Sequence, residues 1–134
     1  MKSITREMLK IYKPISSLDW LNYKIVRKSD MTFHHILKKQ HGGKLEMANG
    51  ALLMPVAHQY LHIIESADID TYITINKIFG FINQQGYEPT AEQREIIEFL
   101  LRQFESEHKT DTNSKGKRLI KREYLKRWWC QCLT

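Results

Sequence analysis

The segment FHHILKKQHGGKLEMANGALLMPVAHQYLHIIE, residues 33–65, carries five of the six histidines in this 134-residue chain. Histidine titrates near neutral pH and is the commonest metal ligand in proteins, so this concentration indicates chemistry rather than packing alone. The segment also contains a glycine pair, an asparagine, a short apolar run and then a proline. Working outward from it, we predict a strand, a loop, a returning strand and a helix, in that order.

The boundaries of these elements follow from local composition. Residues 31–37 are predicted as the first strand, residues 38–48 as the loop and residues 51–54 as the returning strand. Pro55 is expected to open the helix, since a proline in the first turn removes no intrahelical hydrogen bond. The Gly42-Gly43 pair suits a turn with positive φ and needs no further role.

His58 and His62 are four residues apart and therefore project from the same face of the predicted helix. Two imidazoles at this spacing can bind one metal ion, and His34 supplies a third nitrogen if strand and helix meet. Three imidazoles with one open position are typical of a catalytic rather than a structural metal site. Taken alone, the helix pair is weak support, because most buried histidines are structural. His41 is expected to be a solvated loop residue.

His35 follows His34 on the predicted strand, so its side chain should point to the opposite face. It would then stay off the metal and act as a general base on a water molecule. Such a base needs an acceptor at its second ring nitrogen. The Asn49 side chain or a loop carbonyl would provide one.

The order of a histidine pair, a glycine pair, an asparagine and H-x-x-x-H resembles the HNH (ββα-metal, His-Me finger) endonuclease family. The bacteriocin, colicin-type DNase form is the nearest likeness, and the resemblance covers about 30 of the 134 residues. It implies a small α+β fold, with a ββα-metal core surrounded by N- and C-terminal α-helices. By position it makes His34, His58 and His62 the metal ligands, His35 the general base and Asn49 its orienter.

The resemblance further implies metal-dependent hydrolysis of nucleic-acid phosphodiesters, with DNA favoured over RNA. The divalent ion stays open among Zn, Ni, Mg and Mn, although imidazole ligands suit transition ions better than Mg. Two alternatives are a non-catalytic HNH-fold module, for example a phage-encoded regulator with a structural metal, and an accessory protein without metal. The base candidate His35 favours the enzyme, since a retired active site has no need of it. A homodimer or a protein partner stays open.

Positive charge is concentrated at the two ends of the chain. Residues 1–47 carry ten Lys/Arg against four Asp/Glu, residues 48–109 four against nine, and residues 110–134 seven against two. Basic flanks favour phosphate binding, although lysine-rich ends also keep a small protein soluble. The predicted nucleic-acid contacts are basic residues of the loop and the C-terminal tail: Lys38, Lys39, Lys44, Lys117, Arg118, Lys121, Arg122, Lys126 and Arg127.

Residues 1–109 are predicted as one HNH-like nuclease domain, with the motif at about 31–66 and a helical extension at 68–109. A short helix is expected at 3–12 and a strand at 23–26. The basic, aromatic tail at 110–134 either grips nucleic acid or packs partly against the domain. Cys130 and Cys132 are expected to be free thiols in a reducing cytoplasm. No apolar run reaches the ~20 residues of a membrane span, and no membrane partner is predicted.

Two amphipathic helices are expected after the motif. The first should begin at Asp68 or Asp70 and end near Gln85, before Gly86. Its predicted apolar stripe is Tyr72, Ile75, Ile78, Phe79 and Ile82. The second should open at Pro89, burying Ile96, Ile97, Leu100, Leu101 and Phe104 and exposing Glu92, Glu95, Glu98, Glu105 and Glu107.

Overall fold

The computed structural model describes residues 3–11, 17–86 and 88–108, which form four α-helices and a two-stranded antiparallel sheet. The elements in chain order are α1 (Ser3–Ile11), β1 (Thr32–His35), β2 (Gly50–Leu53), α2 (Pro55–Ala67), α3 (Ile69–Gln85) and α4 (Ala91–Glu107). This is the α+β class expected from the sequence. The tail contacts predicted at Lys117, Arg118, Lys121, Arg122, Lys126 and Arg127 lie outside the described residues.

The hairpin of β1 and β2 leads directly into α2, so the chain order at the centre is strand, strand, helix. Thr32 pairs with Leu53, and His35 pairs with Gly50 at the other end of the hairpin. Both strands have four residues, and β1 is shorter than predicted. Pro55 stands in the first turn of α2, as the sequence indicated. The histidine pair is therefore placed at the end of a strand that lies beside the helix.

Side-chain caps fix where α3 and α4 begin. The Asp68 carboxylate accepts a hydrogen bond from the Thr71 backbone N–H, and Gly86 (φ +122°) follows the last residue of α3, which confirms the predicted bounds. Thr90 and Gln93 form a reciprocal capping box at the start of α4. This places the first residue of α4 two positions beyond Pro89. In the part of the chain that the structure describes, no helix has the length and apolarity to cross a membrane.

The core lies between the hairpin and helices α2, α3 and α4. Trp20 contacts Phe79 edge-on at a centroid distance of 6.1 Å, and Tyr60 contacts Phe104 at 5.9 Å. Both strand faces of β2 are buried, and fully burying one large apolar side chain stabilises the fold by about 1.5–3 kcal/mol. The predicted stripe of α3 is confirmed at Tyr72, Ile75, Phe79 and Ile82, while Ile78 is partly buried.

The prediction for α4 is wrong at two positions. Glu98, expected on the solvated face, is 2% exposed, and Ile96, expected in the core, is 42% exposed. The buried stripe of α4 is rotated relative to the predicted stripe, and two of its residues are charged. It consists of Arg94, Ile97, Glu98, Leu101 and Phe104. The Arg94 guanidinium donates at 2.9 Å to the Asp19 carbonyl, and Glu98 lies 3.5 Å from the Arg102 Nε. Arg94 is therefore buried against a polar partner in the N-terminal segment, and Glu98 beside a partner on α4 itself.

The strand predicted at residues 23–26 is also wrong, since this segment forms an isolated bridge between Leu18 and Lys24. The Asp19 carboxylate explains the difference, because one oxygen accepts from the Leu21 and Tyr23 backbone N–H groups at 2.9 and 2.8 Å. These bonds fold the segment into a tight loop. Asn22 adopts a left-handed conformation (φ +65°), as the loop requires.

Candidate active site

Four histidines line one cavity of about 410 Å³. His34 and His35 enter it from the end of β1, and His58 and His62 from α2. The other lining residues are Phe33, Lys38, Lys39, Gln40 and Tyr72. The structure thus brings together the residues that the sequence assigned to the metal and the base, with two of the predicted basic contacts. Lys44, His41 and Asn49 do not line this cavity.

The two histidines of the pair have different surroundings. The His35 ring lies edge-on to Phe33, with centroids 4.9 Å apart. The His34 ring lies edge-on to Tyr72 and Phe79, at 6.3 and 5.9 Å. Both side chains nevertheless line the same cavity, although the alternation of side chains along a strand predicted opposite faces for them.

His34 is held as a neutral imidazole. It is 3% exposed, and burial lowers its pKa from 6.5 to about 4, with smaller contributions from the nearby His58, His62 and His35. A hydrogen bond of 2.8 Å between His34 Nε2 and the side-chain oxygen of Asn76 opposes this decrease. A histidine must be deprotonated to bind a metal, and His34 meets this requirement at any pH well above its lowered pKa.

The tautomer of His58 follows from its neighbours. Its Nδ1 lies 2.9 Å from the Thr32 hydroxyl oxygen, which is itself 2.7 Å from the Leu53 carbonyl. A hydroxyl has one proton, and the carbonyl can only accept, so Thr32 donates to Leu53 and accepts from His58 Nδ1–H. The His58 lone pair is therefore on Nε2. The His58 ring lies 5.3 Å from His34 and 5.0 Å from His62 by centroid distance.

Glu65 joins His62 to the loop lysine Lys38. Its carboxylate lies 3.4 Å from His62 Nδ1 and forms an ion pair with the Lys38 ammonium. The hydrogen bond to Glu65 raises the pKa of Lys38 above its usual range. Burial alone would raise the pKa of Glu65, but the hydrogen bonds from Lys38 and His62 outweigh it and lower the value. A carboxylate at Nδ1 orients His62 with its Nε2 as the remaining ligand atom.

The donor chemistry of the three imidazoles fits a divalent transition ion, but their nitrogens are spaced more widely than a bound ion requires. Bonds of 2.0–2.1 Å place the nitrogens of a tetrahedral site about 3.4 Å apart. Here the ring nitrogens of His34, His58 and His62 do not all lie within 4.8 Å of one another. Metal binding at these three residues would therefore require their nitrogens to move closer together.

One other group of metal-type ligands occurs in the described part of the chain. Asp68, Glu107 and His108 have ligand atoms within 4.8 Å of one another, where α3 begins and α4 ends. The Asp68 carboxylate already accepts from the Thr71 N–H and hydroxyl, and His108 stacks on Phe104 at 4.5 Å. These residues could hold a cation, a grouping that was not expected from the sequence because Asp68 is about 40 positions from the other two.

Asn49 holds the loop between the strands. Its side-chain oxygen accepts from the Leu37 N–H at 2.8 Å, and its amide nitrogen donates to the carbonyls of Leu37 and Lys44 at 3.0 and 3.1 Å. Gly43 is required beside it, since a Cβ there would lie 1.7 Å from the Leu37 carbonyl oxygen. The amide therefore positions the loop that carries Lys38 and Lys39.

Sequence reasoning missed two polar groups of α3 at the site. Asn76 contacts His34, and the buried Tyr72 hydroxyl lies beside the Asn76 side chain, whose hydrogen bond opposes the rise that burial causes in the Tyr72 pKa. Tyr72 was assigned to the apolar core alone. Asn76 was recognisable as an amide inside an apolar stripe, between Ile75 and Phe79, since buried amides need partners.

Comparisons with known proteins identify no relative of this chain. No family model matches the chain, and no curated protein or solved structure matches it either.

Proposed function

We propose that this protein is a metal-dependent endonuclease of the HNH type that hydrolyses nucleic-acid phosphodiesters, DNA being the favoured substrate. The observation that carries the proposal is the convergence of His34, His35, His58 and His62 on one cavity. The resemblance makes three of these histidines metal ligands and the fourth, His35, the general base. A strand–strand–helix order around them agrees with the same assignment.

The electrostatics of the cavity suit a phosphate. Lys38, Lys39 and Gln40 line it with cationic and amide groups. Tyr72 also lines the cavity, and its hydroxyl can donate a hydrogen bond to a phosphate oxygen. Cations that face a phosphate also make binding depend on salt concentration.

The mechanism assigns separate tasks to the histidines. A divalent ion held by His34, His58 and His62 would supply Lewis-acid stabilisation of the charge on the phosphate and the leaving oxygen. His35 takes the proton from the attacking water. Lys39 and the Tyr72 hydroxyl hold the non-bridging oxygens, and the Asn49 amide keeps the loop closed beside them.

Cleavage of supercoiled plasmid in the presence of Mg, Mn, Ni or Zn tests this function. Wild-type protein should nick the DNA with at least one metal. His35→Ala should cut at least ~10²-fold more slowly while metal and DNA binding stay nearly intact, because a general base contributes to the proton transfer alone. His58→Ala should instead weaken metal binding. His41→Ala, an exposed histidine outside the cavity, is the matched control and should cut normally.

Two outcomes would contradict the mechanism. Equal cleavage by wild type and His35→Ala would remove His35 from the proton transfer. Wild-type protein that binds DNA but cuts it with none of the metals would establish the non-catalytic binding module in place of the enzyme.

A further inference from the structure

Helix α3 contacts the proposed metal ligand His34 with one buried amide, in addition to the Tyr72 and Phe79 rings. Asn76 is 8% exposed, and its side-chain oxygen lies 2.8 Å from His34 Nε2. Its amide nitrogen donates to the Tyr72 carbonyl at 2.9 Å, one helical turn earlier. These two contacts fix the orientation of the amide, because the flipped amide would set its oxygen against a carbonyl oxygen.

The amide orientation determines which nitrogen of His34 carries the proton. The Asn76 oxygen can only accept, so Nε2 of His34 must be the donor. A neutral imidazole has one N–H, and its lone pair is then on Nδ1. His34 also lines the cavity, where its ring lies nearly perpendicular to that of His58, at 88°.

We propose that Asn76 is a positioning residue that presents His34 to the metal through Nδ1. The inference rests on the proposed function, since it concerns the same metal centre. It gives the centre mixed ligation, with Nδ1 from His34 on the strand and Nε2 from His58 and His62 on the helix. It also makes α3, which lies outside the resemblance, a part of the site. Outer-shell partners of this kind change metal affinity by about 10–100-fold.

A purely structural role for Asn76 predicts something different. An amide that merely satisfies buried hydrogen bonds would affect stability when replaced, but neither the tautomer nor the ligand atom of His34. The chain offers a matched control in Asn83, which lies two turns later on α3. It is 7% exposed and donates at 2.7 Å to the Met47 and Gly50 carbonyls.

The tautomer can be read directly by heteronuclear NMR of the nitrogen-labelled, metal-free protein. Wild type and Asn76→Asp, which keeps an acceptor, should show His34 protonated on Nε2. Asn76→Leu should shift His34 toward the Nδ1–H form and weaken zinc binding by about 10–100-fold in calorimetric titration. Asn83→Leu should leave the His34 tautomer unchanged, whatever it does to stability. If Asn76→Leu does not fold, the His34 tautomer in wild type and Asn76→Asp tests the proposal, and the Nδ1–H form in wild type overturns it.

Nitrogen–cadmium couplings in the cadmium-loaded protein identify the ligand atom. Coupling to His34 Nδ1 supports the proposal. Coupling to His34 Nε2, or wild-type tautomer and zinc affinity in Asn76→Leu, overturns it and leaves the nuclease assignment standing. If cadmium couples to His34 Nδ1 but the protein cuts no nucleic acid, the positioning role of Asn76 is supported and the proposed nuclease function is refuted.

Discussion

Replacing Asn49 with alanine should destabilise the loop between the strands by an amount that the structure allows us to estimate. The substitution removes three hydrogen bonds, to the Leu37 N–H, the Leu37 carbonyl and the Lys44 carbonyl. A typical intramolecular hydrogen bond contributes about 0.5–1.5 kcal/mol net, and the lower half applies because Asn49 is only half-buried. We therefore expect a loss of about 2 kcal/mol in the free energy of unfolding.

Urea unfolding followed by circular dichroism measures this loss as a shift in midpoint. Asn49→Asp keeps the acceptor for the Leu37 N–H but sets its second oxygen against the Leu37 and Lys44 carbonyls, so its stability should fall at least as far as that of Asn49→Ala. Gln84→Ala is the control: it removes the side-chain amide of an exposed residue on α3 and should stay within about 0.5 kcal/mol of wild type.

An Asn49→Ala protein with an unchanged urea midpoint would show that the Asn49 side chain does not stabilise the loop. A residue that served only to orient the His35 ring would give that result, together with reduced cleavage. If Asn49→Ala loses both stability and cleavage, Asn49 affects cleavage by holding the loop in place.

Three further predictions concern the same region. Gly43→Ala should destabilise the protein in urea unfolding, because its Cβ would meet the Leu37 carbonyl; Gly80→Ala, whose Cβ meets nothing within 4 Å, should instead stabilise the helix by about 0.5–1 kcal/mol. The pKa of His34 falls from 6.5 to about 4 on folding, so the unfolded chain binds its proton first as the pH decreases. The metal-free protein should lose up to ~3 kcal/mol of stability between these two pH values, and His34→Gln should flatten that dependence in urea melts. Tyr72→Phe should bind metal normally but weaken DNA binding or cleavage several-fold; equal affinity and rate would exclude its hydroxyl from phosphate contact.

The hairpin, α2 and the start of α3 were predictable because their signals are local. Pro55 in a first turn, Asp68 as a cap and histidines four apart depend on neighbours within a few residues. The sequence could therefore place the histidines on a strand and a helix. Their convergence on one cavity required that the two elements meet, which was an expectation from the resemblance.

The errors arise where the deciding partner is distant in sequence. Arg94 is buried because it bonds the Asp19 carbonyl and the Asn22 side chain, 75 and 72 residues away. Glu98 lies one helical turn after Arg94 on the same face of α4 and is buried with it, which hydrophobicity alone could not indicate. Asn76 and His34 are separated by 42 residues. The position of the amide in an apolar stripe therefore indicated that it is buried, but not that its partner is His34.

The polar support of the hairpin has a consequence for modularity. The Asp19 carboxylate accepts from the Met54 N–H at 2.8 Å, and Asn83 donates to the carbonyls of Met47 and Gly50. Both supports lie outside residues 31–66, so this segment is not an interchangeable cassette. A synthetic peptide of that length would keep the four histidines of the cavity but not the groups that fix its backbone. Grafting it onto another scaffold, or exchanging it between chains by recombination, would require the recipient to supply equivalent carboxylate and amide side chains.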